Sequence, residues 1–198
     1  LVKDFCKYKV VGATQDDAAG EAFDKAAKIL DLGYPGGPAI SKAAEGAQNN
    51  FNIKLPRPMM DSGNLNMSFS GLKTAVLYKW KEVLEIVKGD DLAEAKKEMA
   101  AEFQKAVIDV LISKTLNAAK QYKAKTILLG GGVSANRNLR IQLVEKIKEN
   151  LPNTKYYYPE MAMTGDNAAM IAIAGYYHAV KNDFIDPFKL AADCNWEL

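Results

Sequence analysis

Between Asp16 and Leu32 the apolar residues Ala19, Phe23, Ala26, Ala27 and Leu30 recur at three- and four-residue intervals, which predicts a helix with one buried stripe. The run Gly33-Tyr34-Pro35-Gly36-Gly37-Pro38 ends it, because glycine and proline at that density stop helices and set turns. A shorter helix is expected over about Ala39 to Gln48, followed by an extended Lys54-Leu55-Pro56-Arg57-Pro58, where each residue before a proline is pushed out of the α region. Asn66 to Phe69 is a strand candidate, and Ser70 reads as the N-cap of a helix from Gly71 to about Val87. A long helix is predicted from Asp91 to Tyr122, with Met99, Phe103, Ala106, Val110 and Ile112 inside and Lys96, Lys97, Lys105 and Lys114 in water. Thr126 to Leu129, short and apolar throughout, has the character of a buried parallel strand. It runs into Gly130-Gly131-Gly132 and a helix from about Ala135 to Asn150, with Leu139, Leu143 and Ile147 inward. Lys155 to Tyr158 is a further strand. Thr164 to about Val180 is a helix apolar on nearly every side, which predicts deep burial. At the start, Leu1 to Phe5 resembles the tail of a strand and Lys7 to Thr14 is a second one.

Strands alternating with helices indicate an α/β layered fold, and without an internal repeat or an evident linker the simplest count is one domain. The 198 residues are ample for a core, and 48% hydrophobic with 25% charged residues is the composition of a soluble globular protein. No run of about 18 apolar residues is present, which excludes a membrane-spanning helix. A net charge of +2 restricts any nucleic-acid contact to local patches. The densest is Lys120, Lys123, Lys125, Arg137, Arg140, Lys146 and Lys148, whose ordinary reading is a solvated face. Cys6 and Cys194 build neither a disulfide framework nor a structural zinc site, so a reducing cytosol is expected. The single histidine, His178, excludes a multi-histidine metal site within this chain.

Four segments carry candidate chemistry. In Ile127 to Arg140 (ILLGGGVSANRNLR), a strand, three glycines and a helix start would let backbone amides approach an anionic ligand, with Asn136 and Arg137 offering donors. The same residues also describe a tight turn capped by Ser134. In DDAAGEAFD, Asp17, Gly20 and Asp24 fall on one helical face, where a sugar could lie against Gly20 and hydrogen-bond to Asp24. Alternatively, Asp16 and Asp17 simply complement the helix dipole. In Thr164-Gly165-Asp166-Asn167, Asp166 either caps the following helix or offers a hard oxygen to a metal. Asn66 to Thr74 (NMSFSGLKT) could line a pocket with Lys73 or be a capped helix start.

Asp16 to Lys25 (DDAAGEAFDK), Tyr34 to Pro38 (YPGGP), Phe69 to Thr74 (FSGLKT), Gly131 to Arg140 (GGVSANRNLR) and Gly165 to Ala172 (GDNAAMIA) together resemble the tRNA threonylcarbamoyladenosine transferases. This is the TsaD or Gcp family, formerly described as O-sialoglycoprotein endopeptidases. The resemblance implies an RNase H-like lobe of the actin-like ATPase (ASKHA) fold. It implies transfer of the threonylcarbamoyl group from threonylcarbamoyl-AMP to adenosine 37 of tRNAs that read codons starting with A. Carried over by position, Asp24, Gly37 and Asn136 would contact the substrate, and Asp166 would be one ligand of a divalent metal, iron or zinc. The implied partners are tRNA, an inactive TsaB-like paralogue and a small TsaE-like ATPase, all in the cytoplasm.

The family's HxxxH pair and GGHT turn have no counterpart here. Residues 1–198 are therefore expected to be the C-terminal actin-like lobe, lacking the N-terminal lobe and first strand, inactive alone and less stable than the whole. Two further readings stay open: another actin-like ATPase or sugar kinase, and a non-catalytic partner homologue.

Overall fold

In chain order the computed structural model, which describes residues 1–5 and 7–192, contains β1 (Val2–Asp4), β2 (Lys7–Tyr8), α1 (Ala19–Ile29), α2 (Gly36–Ala43) and α3 (Ser70–Ile86). It continues with α4 (Asp91–Gln121), β3 (Thr126–Leu128), a 3₁₀ turn (Gly132–Ala135), α5 (Arg137–Asn150), β4 (Lys155–Tyr157) and α6 (Ala168–Val180). The architecture is mixed α/β. Contacts gather into two compact units, residues 12–164 and, separately, residues 1–11 with those from 165 onward. Cys6 and Cys194, on which the redox expectation rests, lie outside the described residues.

In the larger unit α4 is the spine of two apolar cores. Its N-terminal half (Met99, Phe103, Ala106, Val107) packs with Phe23 and Ala26 of α1, Leu30 just after it, Ile40 of α2 and Leu72, Val76 and Trp80 of α3. Phe23 and Phe103 meet edge to face at 5.2 Å, an arrangement worth roughly 0.5–1.5 kcal/mol beyond the area buried. The C-terminal half (Ile108, Ile112, Leu116) packs with Ile127 of β3 and Leu139, Leu143 and Ile147 of α5. β3 and β4 pair in parallel, Thr126 opposite Lys155 and Leu128 opposite Tyr157. Parallel neighbours need a crossover, and α5 supplies it.

Several expectations need correction. β3 is parallel but buried on one face only, with Leu128 69% exposed, because α4 and α5 cover just the side that carries Ile127. The strand expected at Asn66 to Phe69 reduces to a single bridge between Thr14 and Met67. Lys114, assigned to the wet face of α4, is buried, its Nζ donating to the Asn64 carbonyl at 2.6 Å and to Ser62 Oγ at 3.0 Å. Ser70 does not cap α3. It is the first residue of the helix, and the backbone N–H groups of Phe69 and Ser70 donate instead to Asp16. Ser134 does not cap α5 either, since Asn136 does so by accepting from Leu139 N at 3.0 Å.

The smaller unit has β1 and β2 as an antiparallel pair, Val2 opposite Tyr8, beside α6. The Phe5 ring lies 4.7 Å from that of Tyr177, and Lys181 Nζ donates to the Phe5 carbonyl at 3.1 Å. The expected deep burial of α6 is not found. None of its residues is buried, because two short strands offer far too little surface to cover a helix apolar on every side. Among the described residues no helix is long and apolar enough to cross a membrane.

Candidate functional site

The α1 stripe turns Phe23, Ala26 and Ala27 inward and leaves Asp24 half-buried at the edge. There its Oδ1 accepts the Gly36 backbone N–H at 2.7 Å, so a carboxylate sits at the positive end of α2. This bond explains why α2 begins at Gly36 and not at Ala39. Gly36 has no room for a side chain: a Cβ there would stand 2.4 Å from Asp24 Cα and 2.5 Å from the Phe23 carbonyl oxygen. Gly37, one residue on, faces open space, with nothing within 4 Å of where its Cβ would be. The first glycine is needed for packing; the second leaves backbone accessible. Beside them a cavity of about 390 Å³ is lined by Glu21, Asp24, Lys25, Lys28 and Tyr34, among others.

Asn136 joins α2 from the other side. Its Nδ2 donates to Gln104 Oε1 at 2.8 Å and to Ser41 Oγ at 3.3 Å, while Ser41 Oγ donates to the same Gln104 oxygen at 2.8 Å. Ser41 belongs to α2, and Gln104 is a buried amide on α4. Asp24, Gly37 and Asn136 are thus all fastened to one short helix, the first and last through side-chain hydrogen bonds. Before Asn136, a Cβ placed on Gly130, Gly131 or Gly132 would have nothing within 4 Å, and Gly131 takes φ +77°, which favours glycine. Val133 instead packs near Gly20 of α1, at 3.6 Å from the Cβ position there. Arg140 Nε donates to the Ser134 carbonyl, and its guanidinium stacks 4.7 Å from the Tyr158 ring centre. Burial pushes the Tyr156 phenol up, although the Arg140 charge nearby acts in the opposite sense.

The two leading aspartates of DDAAGEAFD have separate tasks. Neither lies within α1, so Asp17 does not share a helical face with Gly20 and Asp24. Asp16 accepts from Phe69 N at 2.7 Å, Ser70 N at 3.1 Å, Ser70 Oγ at 2.7 Å and Ser68 Oγ. Burial alone would raise its pKa, but these four donors outweigh it and hold the carboxyl well below the usual carboxylate range. Asp17 pairs with Lys25 Nζ at 2.6 Å, and Glu21 pairs with the same amine at 2.6 Å. Hydrogen bonds from Lys25 to Asp17 and Glu21 push the Lys25 pKa up.

Asp166, in the smaller unit, is exposed, and the cap of α6 is Asn167, which accepts from Met170 N at 3.0 Å. His178 Nδ1 lies 2.7 Å from Asp183 Oδ2. Among the described residues no group of three or more His, Cys, Asp or Glu side chains could hold a metal ion. These residues by themselves therefore do not fit a bound metal.

The sequence singles out Asp24, Gly37 and Asn136, which the fold brings to α2, but not Ser41, Gln104 or the hydrogen bonds that Asp16 accepts. Gln104 left one signal, an uncharged amide set between Phe103 and Ala106 in the stripe that α4 buries.

The sequence profile of the family described as TsaD, tRNA N6-adenosine threonylcarbamoyltransferase, matches residues 1–173. The chain belongs to this family. Among curated proteins named tRNA N6-adenosine threonylcarbamoyltransferase, that of Thermosipho africanus is 52% identical over 177 residues, covering 89% of this chain and 51% of its own length. That of Burkholderia multivorans is 49% identical over 175 residues, with 88% and 50% covered. That of Listeria monocytogenes serotype 4b (strain CLIP80459) is 46% identical over 175 residues, with 88% and 49% covered. The chain spans about half the length of the curated relatives it matches. All five motif segments, from Asp16 to Ala172, fall inside the threonylcarbamoyltransferase match.

Proposed function

We propose that this chain is the substrate-binding lobe of a cytoplasmic tRNA threonylcarbamoyltransferase, built as an RNase H-like lobe of the actin-like ATPase fold. It would act on threonylcarbamoyl-AMP and the N6 amine of adenosine 37 in tRNAs that read codons starting with A. The observation that carries the reading is the attachment of Asp24, Gly37 and Asn136 to α2, in a chain that belongs to this family.

In this reading Asp24 keeps Oδ1 on α2 and accepts ribose hydroxyls with its other lone pairs. Gly37 admits the nucleotide against bare backbone. The glycine loop and the start of α5 present positive potential to the phosphate. The N6 amine attacks the carbamoyl carbon, the new N–C bond replaces the bond to the phosphate oxygen, AMP leaves as the anion and the amine proton passes to solvent. Holding the two reactants together converts a bimolecular encounter into a positioned one. Asp166 would offer one oxygen to a divalent metal, iron or zinc, with its remaining ligands outside the described residues. Partners in the reading are tRNA, a TsaB-like paralogue and a TsaE-like ATPase.

Gly37→Ala tests it cleanly, because a Cβ there meets nothing in the protein itself. AMP binding, measured by calorimetry, should weaken roughly tenfold, about 1.4 kcal/mol, while the melting temperature does not fall, since alanine suits a helix better than glycine. Unaltered AMP affinity in this variant would remove Gly37 from the site and the α2 reading with it.

A further inference from the structure

Asn136 has little hydrogen-bonding capacity to spare. Its backbone N–H donates to the Val133 carbonyl at 3.0 Å, its carbonyl accepts from Arg140 N at 3.2 Å, and Oδ1 caps α5 through Leu139 N. The two protons on Nδ2 remain, and they are held unequally. The bond to Gln104 Oε1 is 2.8 Å, whereas that to Ser41 Oγ is 3.3 Å, longer than the usual 2.9–3.0 Å for such donors. Gln104 is only 3% exposed and its oxygen also accepts from Ser41 Oγ, so this single buried acceptor orients both neighbours. Leu139 N sets which end of the Asn136 amide is the oxygen, and Gln104 holds one of the two Nδ2 protons.

We propose that Gln104 is a positioning residue for nucleotide binding: it fixes one Nδ2 proton of Asn136 and thereby aims the second, loosely held by Ser41, at an acceptor atom of the bound nucleotide. The inference rests on the reading of Asn136 as a substrate contact. Gln104 lies on α4, outside all five motif segments, and never needs to touch the ligand. Through Ser41 it also ties α2, which carries Gly37, to the loop that carries Asn136. A shift in this one amide would move both walls together.

The test is a double-mutant cycle on the full chain with AMP as the probe, read by calorimetry alongside thermal melting. Gln104→Met keeps length and helix propensity but removes the acceptor. It should weaken AMP binding roughly tenfold, as expected when a contacting group loses its orientation. In an Asn136→Ala background the same substitution should change AMP affinity less than twofold, whatever it does to the melting temperature. Gln104→Glu, which keeps an acceptor oxygen for Asn136, should lose distinctly less AMP affinity than Gln104→Met and serves if Gln104→Met fails to fold: a loss as large as that of Asn136→Ala would overturn the proposal. So would an equal effect of Gln104→Met with and without Asn136, or no effect while Asn136→Ala still weakens binding. If Asn136→Ala itself leaves AMP affinity unchanged, or if the unaltered chain does not bind AMP, the underlying reading falls together with the inference.

Discussion

Asp16 shows how far a residue's task can lie from its neighbours in sequence. It precedes α1, yet its four hydrogen bonds serve the start of α3, more than fifty residues later. Because those bonds lower its pKa in the folded chain, its contribution to stability is complete above the unfolded carboxylate value, about 3.9 for aspartate. It is lost as pH falls below that value toward the depressed folded one. Asp16→Ala should cost about 1 kcal/mol at neutral pH, the typical worth of a helix N-cap. In denaturant titrations between pH 6 and pH 3, the gap between the unaltered chain and Asp16→Ala should narrow as the pH drops, and a constant gap would deny the carboxylate this role. Gly36 and Gly37 make the same point sterically, since two identical neighbours differ entirely in what surrounds them.

At the scale of the element, α4 does more than present an apolar stripe. Along a second edge its carboxylates hold the backbone of the extended segment that follows α2. Glu94 accepts from Gln48 N at 2.7 Å, Glu98 from Phe51 N at 3.0 Å and from Asn50 N, and Glu102 from Leu55 N at 3.0 Å. Arg57 extends the row, its Nε and Nη2 donating to Asp109 Oδ2 at 3.0 and 2.9 Å and its Nη1 to Glu102. The four-residue spacing of Glu94, Glu98 and Glu102 is visible in the sequence, where it is indistinguishable from a solvated helix face. What separates the two is that residues 48–55 form neither helix nor strand, so their N–H groups must find acceptors elsewhere. Glu98→Ala strands two of those donors and should destabilise the chain by about 1–3 kcal/mol, measured by urea unfolding. Glu98→Gln, which keeps an acceptor oxygen, should cost distinctly less.

At the scale of the whole molecule, the larger unit encloses both apolar cores, while the smaller one leaves Ile171, Ile173, Tyr176 and Val180 of α6 exposed. Contiguous apolar surface of this kind favours association. The chain is therefore expected to bind a hydrophobic dye and to self-associate with rising concentration. Ile171→Glu with Ile173→Lys should reduce both by severalfold in fluorescence and light scattering, without lowering the melting temperature of the larger unit. Unchanged dye binding would mean that α6 is not the exposed surface responsible.

Local pattern was enough for the apolar stripes of α1, α4 and α5, for the helix at α3, for the strand character of β3 and β4, and for the motifs that hold Asp24, Gly37 and Asn136. Periodicity is a local property, and the glycine-rich turns are legible wherever backbone conformation alone limits the residue type. It took the folded chain to show that Asp16 serves α3, that Lys114 is buried, that α6 is uncovered and that Gln104 stands between Ser41 and Asn136. Each of these depends on which distant group arrives within hydrogen-bonding or van der Waals reach. A charged or apolar side chain carries no record of that partner until the chain has folded.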